Sequence, residues 1–117
     1  MTETPLFDAS AFDGLCSELG NEDAAEVLQV FLDDTPRKLA IMISDVMDRP
    51  SIKRAGHSIK SSAATFGFAK LSSLARDLES GIEGMSVPQL HDCVGTLRWA
   101  FEKTAEFARA NLLQPAY

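Results

Sequence analysis

Apolar residues recur along this chain at spacings of three and four, and no stretch alternates with the period of two that a half-buried strand requires. The pattern predicts helices throughout. Phe12, Leu15 and Leu19 share one side of a short helix over 9–19. Asn21 or Asp23 can cap the next helix, in which Val27, Phe31, Leu39, Met42 and Val46 hold helical phase to about Asp48. Thr35-Pro36 falls inside that run, and because the phase survives the proline the expectation is one helix kinked there. Arg49-Pro50-Ser51 reads as a turn and cap, followed by a helix from about Ser51 to Phe66 with Gly67 as its stop. Leu71, Leu74, Leu78 and Ile82 mark another helix, ending near Gly81 to Gly84. Ser86 caps a last one carrying Leu90, Val94, Leu97, Phe101, Ala105, Ala108 and Leu112, and Gln114 to Tyr117 reads as a frayed tail. Four long helices with short connections predict an all-α fold, an antiparallel four-helix bundle with a short additional N-terminal helix. Residues 1–117 are expected to form a single domain with its bundle core at about 21–112.

The helix over 51–66 carries the most informative residue. At about 100° per residue, Ile52, Gly56, Ile59, Ala63 and Phe66 form its apolar face. His57 points about 140° away from that face, with Lys53, Lys60 and Ala64 within about 60° of it and Ser61 one turn on. An exposed imidazole flanked by ammonium groups and small residues suits a nucleophile that carries an anionic group and meets a partner closely.

Charge sharpens this picture. The 117 residues carry a net charge of −6, which argues against nucleic acid as the main partner. Residues 1–34 hold nine acidic side chains and no Lys or Arg, whereas residues 35–76, around His57, hold eight basic side chains against Asp45 and Asp48. Such a segment steers an acidic partner site toward the imidazole.

Other chemistry is missing from the sequence. It contains no Walker A or GxGxxG loop, no HExxH, no SxxK and no GxSxG. Cys16 and Cys93 lack metal or redox spacing and read as small buried hydrophobes. His91 has no matching acid or nucleophile, and Asp33-Asp34 reads as a solvated pair. The chain cannot make a phosphoryl donor from ATP, so any group on His57 comes from another protein. No cofactor and no metal ligand is expected. With no signal peptide and no apolar run long enough to span a membrane, a cytoplasmic monomer is expected.

Residues 55–79, AGHSIKSSAATFGFAKLSSLARDLE, resemble the signature of histidine-containing phosphotransfer (HPt) domains. The shared positions are His57, Ser58, Ile59, Lys60, the small stretch Ser61 to Ala64, Gly67, Leu71, Leu74, Leu78 and Glu79. Upstream, residues 27–34 resemble the helix that precedes the histidine helix in that family. Gly56 stands where Ala is usual, and Ser61 where Gly is frequent. The resemblance implies a phosphohistidine carrier in a multistep His-Asp phosphorelay, without autokinase activity. His57 would be the phosphoacceptor and Lys60 would stabilise charge, with Lys53, Arg54, Ser61 and Ala64 meeting the partner and Gly67 structural. The partners implied are response-regulator receiver domains, which bring their own Mg²⁺, and a hybrid sensor histidine kinase. A non-phosphorylated helical adaptor is the alternative. A kinase dimerisation fragment fits less well, because Ser58 stands where that family places an acid.

Overall fold

A computed structural model describes residues 4–43 and 48–113, and these residues are all-helical, without strands. The helices are α1 (Ala9–Leu19), α2 (Asn21–Met42), α3 (Arg49–Phe66), α4 (Ala69–Gly81) and α5 (Val87–Asn111), with one 3₁₀ turn over Ile82–Gly84.

Helix ends follow local chemistry. The Asp8 carboxylate starts α1 by accepting hydrogen bonds from the Ser10 backbone N–H (3.0 Å) and hydroxyl (2.7 Å). Gly20, at φ +87°, ends α1 and serves as the N-cap of α2 without a side-chain bond. The expectation of a cap at Asn21 or Asp23 is therefore corrected: both residues already lie inside α2, where Glu22 and Asp23 complement the positive end of the helix dipole.

A single helix passes through Pro36, whose missing N–H leaves the Leu32 carbonyl without its intrahelical donor. The buried Thr35 hydroxyl donates to the Phe31 carbonyl at 2.7 Å one step away. This helix ends at Met42 rather than near Asp48, tightening as the Ile43 N–H reaches back to the Ala40 carbonyl. Val46 lies outside the described residues. α3 begins at Arg49, two residues before the expected Ser51, with Pro50 in its first turn, where an N–H would have no partner anyway.

α3 closes in a Schellman motif: the Gly67 N–H reaches the Ala64 carbonyl and the Phe68 N–H that of Ala63. Gly67 has φ +85°. Its own carbonyl accepts the Asp8 N–H at 2.7 Å, tying the segment before α1 to the α3–α4 turn. A full capping box opens α5: Ser86 Oγ accepts from the Gln89 N–H, and Gln89 Oε1 accepts from the Ser86 N–H.

α3 packs most extensively on α4, α2 on α3, α4 on α5 and α2 on α5, so each long helix has two neighbours around one core. α1 lies over α2 and α3. Ile52, Gly56, Ile59, Ala63 and Phe66 are all buried, as the α3 periodicity predicts. Two other faces agree with expectation at Phe31, Leu39 and Met42 and at Leu71, Leu78 and Ile82, and differ at one position each. In α2, Val27 is 40% exposed and Leu28 is fully buried, because the core line runs Ala24, Leu28, Phe31, Leu32, Thr35, Leu39 and Met42. In α4, Ala75 is buried and Leu74 only packs against the core edge. Cys16 and Cys93 are free and half-buried rather than buried. One end of the core is aromatic: Phe31 stacks with Phe66 (5.2 Å between ring centroids) and Phe68 (5.8 Å), and Phe7 caps the cluster through Phe68 (5.9 Å) and Phe107 (4.9 Å).

Candidate functional site

His57 lies in the middle of α3, on the face opposite Ile52 and Ile59. Its side chain is 60% exposed. The ring is nonetheless held. Its Nδ1 lies 2.6 Å from Oε2 of Glu79 on α4, and the other carboxylate oxygen, Oε1, accepts a hydrogen bond from Lys60 Nζ at 2.7 Å. Glu79 is 19% exposed, so one partly sheltered carboxylate joins the imidazole and the ammonium across the α3–α4 interface. The Lys60 hydrogen bond, seconded by that of His57, holds the Glu79 carboxyl below the ordinary glutamate range against the opposing effect of desolvation.

An ionised carboxylate only accepts hydrogen bonds, so the short contact places a proton on Nδ1. In the neutral imidazole this leaves the lone pair on Nε2, the nitrogen not engaged by Glu79. The site thus presents a fixed nucleophilic nitrogen with a cation one turn away.

The backbone explains why the two helices meet here. Residues 57 and 79 are equally far from Phe68, at the centre of the α3–α4 turn, so an antiparallel pair brings them level. Ser72 Oγ donates to the Lys60 carbonyl at 2.9 Å, bracing the same interface. At the far end Arg49 donates to the Ile82 carbonyl. Gly56, just before His57, lies buried against Leu78 and Ala75.

Lys53 sits on the expected side of α3, but its ammonium pairs with Glu83 at 2.9 Å rather than facing His57 alone. The hydrogen bond between them favours the charged form of each, raising the Lys53 ammonium and lowering the Glu83 carboxyl. Arg54 is exposed and donates to Ser51 Oγ at 3.2 Å. Pro50, Lys53, Arg54, His57 and Glu79 line one open depression of about 530 Å³. Ser61 and Ala64 are exposed and line a second, of about 580 Å³, that reaches Lys60. Gly67 also lines that groove.

Sequence reasoning missed Glu79 and Glu83 as partners of the α3 cations. Glu79 was visible as the last residue of the motif, and its equal distance from the turn was the available signal. Asp34 pairs with Lys38 at 2.8 Å and Asp33 accepts from Gln29 at 3.0 Å, so the acidic pair serves the surface of α2. His91 is exposed on α5. Among the described residues no three His, Cys, Asp or Glu side chains cluster as metal ligands, and no helix is long and apolar enough to cross a membrane.

Comparison with known families agrees with this geometry. Residues 26–107 match the family model of the Hpt domain, and the chain belongs to that family. Hpt domains are phosphocarrier modules of phosphorelays, without catalytic activity of their own, that interact with receiver domains and kinases. No curated protein and no solved structure matches the chain.

Proposed function

We propose that His57 is the phosphoacceptor of this Hpt domain and relays a phosphoryl group between receiver-domain aspartates. In the accepting direction the Nε2 lone pair attacks the phosphorus of an aspartyl phosphate in line. The N–P bond forms, the acyl O–P bond breaks, and the aspartate leaves as a free carboxylate. No proton has to be moved, because the only imidazole N–H proton is on Nδ1 and stays there, donated to the Glu79 carboxylate. The positive charge that develops on the ring is met by the Glu79 carboxylate. Lys60 offsets charge on the phosphoryl oxygens. Donation to the next receiver runs the same steps backwards.

Glu79 acts as a positioning residue, fixing the ring and its tautomer. Mg²⁺ belongs to the receiver, and the phosphoryl group comes from another protein rather than from ATP bound by this chain. The helix contacts support an antiparallel four-helix bundle as the scaffold, with α1 laid across it, within a single domain over 1–117. A cytoplasmic monomer, with a hybrid sensor kinase upstream, completes the reading.

The observation that carries it is an exposed imidazole anchored at Nδ1 inside a chain of this family. Incubation with phosphorylated receivers, followed by mass spectrometry under neutral conditions, is expected to find one acid-labile phosphate, on His57. Label that persists in His57→Gln overturns the assignment.

A further inference from the structure

The outward face of α5 carries features that the bundle does not use. α5 packs on α4 and α2, across the bundle from the α3 helix that holds His57. On the side turned to solvent, Trp99 is 53% exposed. One turn earlier stands Gly95, well inside the helix. Glycine weakens an exposed helix interior. No neighbour requires it here, because a Cβ at this position would meet no atom within 4 Å. His91, Asp92, Gly95, Thr96 and Trp99 line an open depression of about 500 Å³. The Thr96 hydroxyl donates to the Asp92 carbonyl at 3.0 Å, so it calls for no other partner. Gly95 thus leaves a notch beside an uncovered indole.

We propose that this face binds a second copy of the chain, α5 antiparallel to α5, with the Trp99 ring of each copy seated in the Gly95 notch of the other. The surface is complementary to itself, as a two-fold interface requires. With the two-fold axis between Leu97 and Arg98, Trp99 of one copy lies opposite Thr96 of the other, next to Gly95. Asp92 and Lys103 are equally far from that axis and about 20° apart around the helix. Each Asp92 therefore faces Lys103 of the other copy. On the opposite edge of the stripe His91 and Glu102, also about 20° apart, come nearly level in the same way. A parallel pairing would instead set Asp92 against Asp92 and Lys103 against Lys103. The groups are available for this. Asp92 and Glu102 are exposed and form no ion pair among the described residues, and Lys103 holds Glu106 only loosely at 3.6 Å. Trp is among the residues most enriched where interface energy concentrates. A contact confined to one helix face falls short of the about 1,200 Å² at which stable complexes begin. The association is therefore weak and reversible, and the single chain remains the species at low concentration. Both His57 side chains stay open, on opposite sides of the pair.

Trp99 is the only tryptophan of the chain, so its fluorescence reports on this face directly. Sedimentation velocity on the full chain, from about 10 µM to about 1 mM where weak complexes assemble, is expected to show the mass rising from that of one chain toward that of two. Over the same range the Trp99 emission is expected to move to shorter wavelength. Trp99→Ala should raise the dissociation constant of the pair by at least about tenfold. Asp92→Lys and Lys103→Asp, which bring like charges together, should each weaken it by about tenfold, and the double variant should return it to within about threefold of the wild type. All of these side chains are exposed, so the variants are expected to keep the wild-type circular dichroism spectrum. The mass of a single chain at every concentration overturns the proposal. So does association that Trp99→Ala leaves unchanged, which places the contact on another face. A double variant no tighter than the single ones overturns the antiparallel register. None of these results bears on the carrier reading, which labelling of His57 tests separately.

Discussion

The two halves of α3 share one buried apolar face, and beyond it each is held to the rest of the molecule by a different kind of contact. From Arg49 to Lys60 the exposed face of the helix is tied to α4 and the turn after it by polar contacts: Arg49 to the Ile82 carbonyl, Lys53 to Glu83, and His57 and Lys60 to Glu79. From Ala63 to Gly67 the helix is held by shape, with Phe66 in the aromatic cluster and Gly67 against the backbone of Asp8. Polar contacts at a solvated surface contribute little to stability, whereas a backbone contact without space for a Cβ is unforgiving. Function and stability are therefore separable along a single helix: changes to the exposed polar side chains of its first half should register in phosphoryl transfer, and changes at its end in folding.

The largest effect is expected at the steric end. A Cβ on Gly67 would lie 2.3 Å from the Asp8 carbonyl oxygen and 3.2 Å from Ala11 Cβ. Adding the strain of a left-handed Cβ to that of overpacking, Gly67→Val should cost about 2–5 kcal/mol. That corresponds to a fall in melting temperature on the order of 10 °C, measured by circular dichroism. A variant as stable as the wild type would show that the Asp8 contact can be given up freely.

Next comes Lys60→Ala. Loss of a charge-assisted contact to the phosphoryl group is expected to cost about 1–3 kcal/mol in the transfer barrier, slowing transfer about 5- to 160-fold in rapid-quench kinetics. The melting temperature should hardly move. Unchanged rates would remove Lys60 from the mechanism and blur the contrast between the two halves.

Glu79→Gln tests the same half through pH. Because the folded-state carboxyl lies below its ordinary value, its contribution to stability is fully present above the unfolded glutamate value of about 4.3. It is lost as pH falls through the lowered folded value. Urea titrations should show a wild-type advantage over Glu79→Gln at neutral pH that vanishes in acid. An advantage that persists in acid would mean that the carboxylate acts through packing alone.

The smallest effect separates two glycines of the same turn-and-helix unit. A Cβ on Gly56 would meet Leu78 Cδ2 at 3.6 Å and the Ala75 carbonyl oxygen at 3.7 Å, which is ordinary contact. Gly56→Ala should therefore stabilise the fold by about 0.5–1 kcal/mol through reduced unfolded-state entropy, with transfer unchanged. A loss of stability would show that α3 and α4 are closer at this point than the contacts indicate.

Much of this contrast was legible before the structure. The stop at Gly67, the cap at Ser86 and the outward direction of His57 follow from local rules, because each depends on residues within one or two turns. The errors share another physical origin. Val27 and Leu28 are adjacent apolar residues, as are Leu74 and Ala75, and periodicity alone does not say which of two such neighbours at the border of an apolar face is the one covered by packing. Glu79 and Glu83 escaped because their contacts with α3 join residues far apart in sequence, where no spacing rule reaches. Asp8 and Ala11, which line the groove that reaches Lys60, escaped for the same reason.

The hydrogen bond between Asp8 and Gly67, with the ring of Phe7 resting on Phe107, also sets an order of events during synthesis. The segment that forms this strap leaves the ribosome first, but the α3–α4 turn it clasps and the α5 ring it touches are made much later. Closing so long a loop gains nothing until both surfaces exist. The strap thus docks only after the α3–α4 turn and α5 have been made, and the wall of the groove beside His57 is completed with it.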